Sequence, residues 1–292
     1  MNRTFFGSLL VSLVLVACDA PESSESSSGG GGTPLELGSN LPVLHEADAE
    51  RAARGEQLFT SGRLGGRLGP KLGFRNLWLV WGSGGSDDEA TYWAKFRKRY
   101  GFSEAPFDND GLPLGMRLVE GSFITLDCMT CHAETVAGST VLGAGSNSFD
   151  LQGLYDDLVE LNELAPTFGF PSYPLPFEMS ERTGAAGAND AFGLGMTLAA
   201  KSAGKTTLNE RYGFQQSPAW WTLKHKQRLY ADGAGQAPGT RTMMATLLAF
   251  GLSYTELVAK EEEFTDLWHY LLTLEAPPFP GSVDEALARE GR

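Results

Sequence analysis

The pentapeptide Cys128-Met129-Thr130-Cys131-His132 constrains this 292-residue chain more than any other feature, because it commits two of only three cysteines to a single turn. Two thiols three residues apart, followed at once by an imidazole, form C-x-x-C-H, the spacing of covalent haem attachment. The form has a physical reason. Both thiols can add to the vinyl groups of one porphyrin, and the adjacent His132 then lies under the iron as axial ligand. A dithiol redox centre or half of a zinc site would use the same cysteine pair. Zinc needs two further ligands at compatible spacing, and no other pair of Cys or His lies close in the sequence. A dithiol oxidoreductase wants a βαβ setting, which the residue pattern does not offer. The sequence therefore points to one covalent haem c, held by Cys128, Cys131 and His132.

The third cysteine, Cys18, closes Leu15-Val16-Ala17-Cys18 after Arg3 and an apolar run from Phe5 to Ala17. That run is shorter than the ~20 residues needed to span a bilayer, and it has the n-region and h-region of an export signal. Its end resembles a bacterial lipobox, which implies that Cys18 is lipidated and becomes the first mature residue. A plain secretory signal cut near Ala17 is the alternative. Residues 19–34, DAPESSESSSGGGGTP, carry no apolar periodicity and bury too little to fold. Their flexible coil spans roughly 20 Å, enough to hold a domain off a membrane. The expected organisation is a signal at 1–17, a lipid anchor and linker at 18–40, a haem domain at 41–280, and a terminal piece at 281–292. The protein is expected to be exported and anchored to a bacterial membrane, facing the periplasm or the cell exterior.

The whole chain has 23 basic and 36 acidic residues; without residues 1–17, which contribute only Arg3, the balance is 22 against 36, or −14. An acidic surface argues against nucleic acid. It either favours a basic redox partner through electrostatic steering or simply keeps an exported protein soluble.

Helical signals dominate. Residues 46–59 are rich in Ala and charge. Residues 87–101 open with acids, close with bases and Gly101, and place Tyr92, Trp93, Phe96 and Tyr100 on one face. Leu151, Leu154, Tyr155, Leu158 and Leu161 recur at helical period. A further helix is expected after an Asn189 cap. Ser253 and Glu256 make a capping-box pattern, and residues 262–280 form an amphipathic helix stopped by Pro277 and Pro278. Residues 61–86 and 163–188 are expected as Gly- and Pro-rich loops. No clear period-2 strand stands out, so the expected class is mainly α.

In this setting the chain resembles c-type cytochromes, and more closely the bacterial family of di-haem cytochrome c peroxidases and haem rubber oxygenases. The likeness covers roughly residues 48–292. RGEQLF, 54–59, resembles the first cytochrome helix, in which a Gly and an aromatic pack on the last helix. EFTDLWHYLLTL, 263–274, resembles that last helix. Residues 111–158 resemble the family's first haem segment, and SPAWWTLKHKQRLYADG, 217–233, its haem-adjacent segment. The resemblance implies a cytochrome c-like helical haem domain with long loop insertions. It also implies a second C-x-x-C-H, which the sequence lacks. DEALAREG, 284–291, aligns with DAERAARG, 48–55, so residues 281–292 are either the start of a second cytochrome domain or a charged tail.

The sixth iron ligand separates an electron carrier from an enzyme. A methionine thioether closes the iron and raises its potential, whereas an open position can bind oxygen or peroxide. Met179, Met196, Met243 and Met244 lie between the motif and the last helix. Met243 and Met244 sit where cytochromes usually place this ligand, yet with Leu247, Leu248 and Phe250 they also make an apolar helix face. A vacant position and His225 are the alternatives. His45 and His269 read as structural or solvent residues. Trp220 and Trp221 either pack near the porphyrin, where a Trp can relay an electron, or belong to the core. The resulting expectation is a membrane-anchored c-type cytochrome that transfers electrons in the periplasm, with no catalytic residue assigned. The alternatives are a haem peroxidase or oxygenase and, more weakly, a haem-based sensor.

Overall fold

The computed structural model describes residues 41–62, 64–172, 186–189, 215–230, 233, 235–247, 252–278, 281–282 and 284–290. Cys18, the linker, Met179, Met196, Leu248, Phe250 and the helix expected beyond Asn189 lie outside these residues. Helix α1 (Ala49–Ser61) starts where the Asp48 carboxylate accepts the amide of Arg51, and it buries Ala52, Gly55 and Phe59 on one side. It packs most extensively against α8 (Glu261–Thr273). Gly55 makes this approach possible, since a Cβ there would stand 2.1 Å from the backbone oxygen of Asp266. One turn on, the Phe59 and Tyr270 rings meet at 5.2 Å. Arg54 clamps the rim with two hydrogen bonds to the Asp266 carboxylate, at 2.7 and 2.9 Å.

The other long helices follow their sequence patterns. Helix α4 (Glu89–Tyr100), capped by Asp88, buries Tyr92, Trp93, Phe96 and Tyr100. Helix α5 (Leu151–Leu164), capped by Asp150, buries Leu151, Leu154, Leu158 and Leu161. Helix α7 (Tyr254–Ala259) opens on the complete Ser253–Glu256 capping box. Short α6 (Thr240–Thr246) precedes it, and α9 (Glu285–Glu290) lies near the chain end. The expected loop at 61–86 instead holds strand β1 (Gly69–Pro70) and helices α2 (Lys71–Arg75) and α3 (Trp78–Trp81). Glycines punctuate the segment, yet Phe74 and Leu77 are pulled fully into the core and fix it.

The expectation of a mainly α class is overturned: the described residues are mixed α/β. Strands β2 (Met116–Val119) and β3 (Phe123–Leu126) pair antiparallel, and β1 adds to the other edge of β3 in the order β1-β3-β2. Strands β4 (Ala133–Val136) and β5 (Ser139–Leu142) form a second hairpin across Ala137 and Gly138, both at positive φ, as a two-residue hairpin turn requires. Two-residue pairings join β6 (Ala188–Asn189) to β7 (Gln215–Gln216) and β8 (Arg228–Leu229) to β9 (Gly235–Gln236). These strands escaped sequence analysis because two to four residues give too few alternations to establish a period of two. Moreover, β3 buries Ile124, Thr125 and Leu126 in succession, so its sequence has no polar face to alternate.

Candidate functional site

The motif occupies the connection between the two hairpins. Strand β3 delivers the chain to Asp127, and Cys128–Thr130 then form one 3-10 turn. The Asp127 carboxylate caps that turn by accepting the Met129 amide at 2.8 Å. The Cys128 carbonyl accepts the amides of both Cys131 and His132, at 3.3 and 3.0 Å. The two thiols therefore sit one turn apart with the imidazole next in line, after which β4 carries the chain away. Both cysteines are half-buried, and no disulfide joins them.

A buried ion pair anchors the turn. Arg117 on β2 donates Nε to Asp127 Oδ2 at 2.8 Å, and the two residues are 5% and 2% exposed. Its remaining donors reach the Phe59 carbonyl, the Thr60 carbonyl and Asn109 Oδ1. The Asn109 amide in turn bonds the carbonyls of Leu112, Pro113 and Met116. One guanidinium thus joins the motif to the last turn of α1, and its partners are themselves satisfied, as a buried charge requires. Sequence reasoning missed Arg117 and Asp127. The available signal was a charge within one short apolar segment, MRLV, and another at the end of a second, FITL, immediately before the motif.

The His132 ring is fixed from two sides. Its Nδ1 lies 3.0 Å from the Pro218 carbonyl oxygen. A carbonyl can only accept, so Nδ1 carries the proton and Nε2 keeps its lone pair. Burial pushes the imidazolium down to about pKa 4, against the opposing pull of Pro218, so the ring is neutral at ordinary pH. Trp220 stacks on it, with centroids 4.3 Å apart and planes 20° from parallel, and Phe59 meets that indole edge-on at 5.7 Å. Close backbone approach positions Pro218: a Cβ on Gly145 would lie 1.6 Å from the Ser217 oxygen. The Trp220 amide also bonds the Gly143 carbonyl at 2.8 Å, while the Gly143 amide bonds that of His132 at 2.9 Å.

No protein-family model matches the chain, and no curated protein sequence matches it.

The other expected residues divide clearly. His225 donates Nδ1 to the Pro42 carbonyl, and His45 donates Nε2 to that of Lys226. His269 accepts the Asp48 amide through Nδ1. All three tie residues 42–48 to the body, as fits structural residues. Met244 is buried in the apolar core, and Met243 packs against that core from α6. Trp221 is half-buried in the 3-10 helix Trp220–His225. Among the described residues, no group of three or more His, Cys, Asp or Glu could hold a bare metal ion, and no helix is long and apolar enough to cross a membrane.

The donor set fits one group in particular. Burial, then Asp127 and Cys131, push the Cys128 thiol up to about pKa 12 and keep it protonated. A dithiol oxidoreductase displaces its reactive thiol the other way. Half-buried thiols at one turn, beside a neutral imidazole whose Nε2 keeps its lone pair, are the donors that a covalently attached haem takes.

Proposed function

We propose that this protein is a membrane-anchored c-type cytochrome that transfers electrons outside the cytoplasm. The observation that carries the proposal is the hydrogen bond of His132 Nδ1 to Pro218, on a residue that directly follows two cysteines of one turn. When bound, haem c supplies a one-electron iron couple. Cys128 and Cys131 would hold the group covalently, and His132 would offer Nε2 to its iron. Pro218 keeps the imidazole in the ligating tautomer and raises its basicity, the usual work of a ligand's outer partner. Trp220 and the Arg117–Asp127 pair hold the ring and the turn still, which keeps reorganisation small when an electron arrives. Met243 or Met244 would provide the sixth ligand. The lipid on Cys18 would tether the domain, and the acidic surface would steer a basic protein partner.

Haem should remain with the polypeptide through denaturing extraction and give a c-type pyridine spectrum. The Cys128→Ala/Cys131→Ala variant should lose it entirely. Retention of covalent haem by that variant would falsify the proposal.

A further inference from the structure

At the end of α4 a phenol is paired to a carboxylate in a manner that core packing does not require. The Tyr100 side chain, 1% exposed, donates its hydroxyl to Asp157 Oδ2 on α5 at 2.5 Å. The Trp81 indole N–H points at the same pair, 2.9 Å from the Tyr100 oxygen and 3.3 Å from Oδ2. Arg99 donates Nε to that oxygen at 2.8 Å, with its guanidinium 5.7 Å from both the Trp81 and Tyr100 rings. Tyr92 stacks on Trp81 at 5.1 Å and 18°. The neighbouring buried phenol provides the contrast: Tyr92 donates to the Phe74 carbonyl, which satisfies the hydroxyl but cannot keep a proton. Burial, then Asp157, push the Tyr100 phenol far above its usual range, so it does not ionise on its own.

We propose that Tyr100, with Asp157 as its proton acceptor, is a second one-electron redox site in this protein. The oxidant is any one-electron acceptor of higher potential than a phenol. One electron leaves the Tyr100 ring for that acceptor, and the phenolic proton crosses the hydrogen bond to Asp157 Oδ2. The products are a neutral phenoxyl radical, a protonated Asp157 and an oxidant reduced by one electron. Re-reduction returns the proton along the same bond. The transfer is downhill because an oxidised phenol is a far stronger acid than any carboxylic acid. Arg99 donates to the same carboxylate oxygen that takes the proton, and Trp81 donates to the oxygen on which radical density collects.

The backbone connects this site to the C-x-x-C-H turn. The Ser146 amide bonds the Cys131 carbonyl at 2.9 Å, and the Asp150 amide bonds the Tyr100 carbonyl at 2.9 Å. The five residues from Ser146 to Asp150 thus join the two sites through one hydrogen bond at each end. A parallel contact runs from the Ser148 hydroxyl to the Gly101 carbonyl at 3.0 Å. Because the oxidant is external, Tyr100 would act in this way whether or not the C-x-x-C-H domain carries electrons.

The test oxidises the haem-loaded mature protein with flash-generated tris-bipyridine ruthenium(III) and records the radical by electron paramagnetic resonance and transient absorption. Wild-type protein should give a neutral tyrosyl signal whose formation slows in D2O. Tyr100→Phe should lose that signal, whereas Tyr92→Phe should keep it. Asp157→Asn should slow radical formation about 100-fold, the low end of what a positioned base contributes to a proton transfer. An unchanged signal in Tyr100→Phe overturns the proposal. So does an Asp157→Asn protein with wild-type rate and isotope effect, and this near-isosteric variant decides the matter even if Tyr100→Phe fails to fold.

Discussion

His132 and Pro218, 86 residues apart in sequence, are joined by one hydrogen bond of 3.0 Å from imidazole Nδ1 to carbonyl oxygen. That bond fixes the tautomer, and with it the nitrogen available to a metal. Because the acceptor is backbone, no side-chain substitution at residue 218 deletes it. The consequences are best tested at the sixth ligand, the supporting ion pair and the helix packing around it.

If Met243 or Met244 closes the iron, the ferric protein should be mostly low-spin and the ferrous protein should bind carbon monoxide poorly. A weak long-wavelength band from thioether ligation should vanish in Met243→Ala or in Met244→Ala. A five-coordinate, high-spin ferric spectrum with rapid carbon monoxide binding would favour the open-site enzyme or sensor and return both methionines to core packing.

Breaking the buried Arg117–Asp127 pair should be costly because each change strands a charge. Arg117→Met and Asp127→Asn should each destabilise the fold by about 3–5 kcal/mol, whereas replacing both partners by apolar residues should restore part of the loss. At about 2–4 °C per kcal/mol for a domain of this size, each single variant should melt roughly 10 °C lower. Denaturant unfolding with the motif cysteines intact provides the measurement, and single variants within about 0.5 kcal/mol of wild type would count against the network.

Gly55→Ala should lower stability by about 1–3 kcal/mol, the range for overpacking a close contact, because the opposing atom is the Asp266 backbone oxygen and cannot rotate away. Calorimetry of the variant would show it. A neutral result would mean that α1 and α8 can separate without loss.

Acid should loosen the same helix pair. The Arg54 hydrogen bonds hold the Asp266 carboxyl below its ordinary value of 3.8. A group whose native pKa is depressed contributes its full stability above the unfolded value and loses it as pH falls through the native one. Wild type should therefore be more stable than Asp266→Asn above the ordinary value of 3.8, and the gap should close as the pH falls below it through the depressed native value. A gap independent of pH in urea titrations would exclude a charge-based role for Asp266.

Cys18→Ser should move the protein from the detergent-extracted membrane fraction to the soluble exported fraction, because a single residue would carry the lipid. An unchanged distribution in fractionated cells would exclude lipid anchoring at this cysteine.

Local rules determined much of this protein from sequence alone. The stripe on α4, the stripe on α5 and the Ser253–Glu256 cap follow from side-chain spacing, so each was legible without a structure. So was the grouping of Cys128, Cys131 and His132, because one turn of backbone brings them together. The short strands were not legible, since β2 and β3 exist only because each edge finds a partner, not because either segment has a strong period. Nor was the use of Arg117, whose four acceptors come from α1, the Asp127 cap of the motif turn and the loop at Asn109. Tyr100 and Asp157 each read as an ordinary helical residue, one buried and one polar. Only the packing of α4 on α5 set the phenol against the carboxylate, and only the close approach at Gly145 brought Pro218 to His132. A hydrogen bond across 57 or 86 residues depends on the positions of whole elements, and no local pattern in the sequence encodes those.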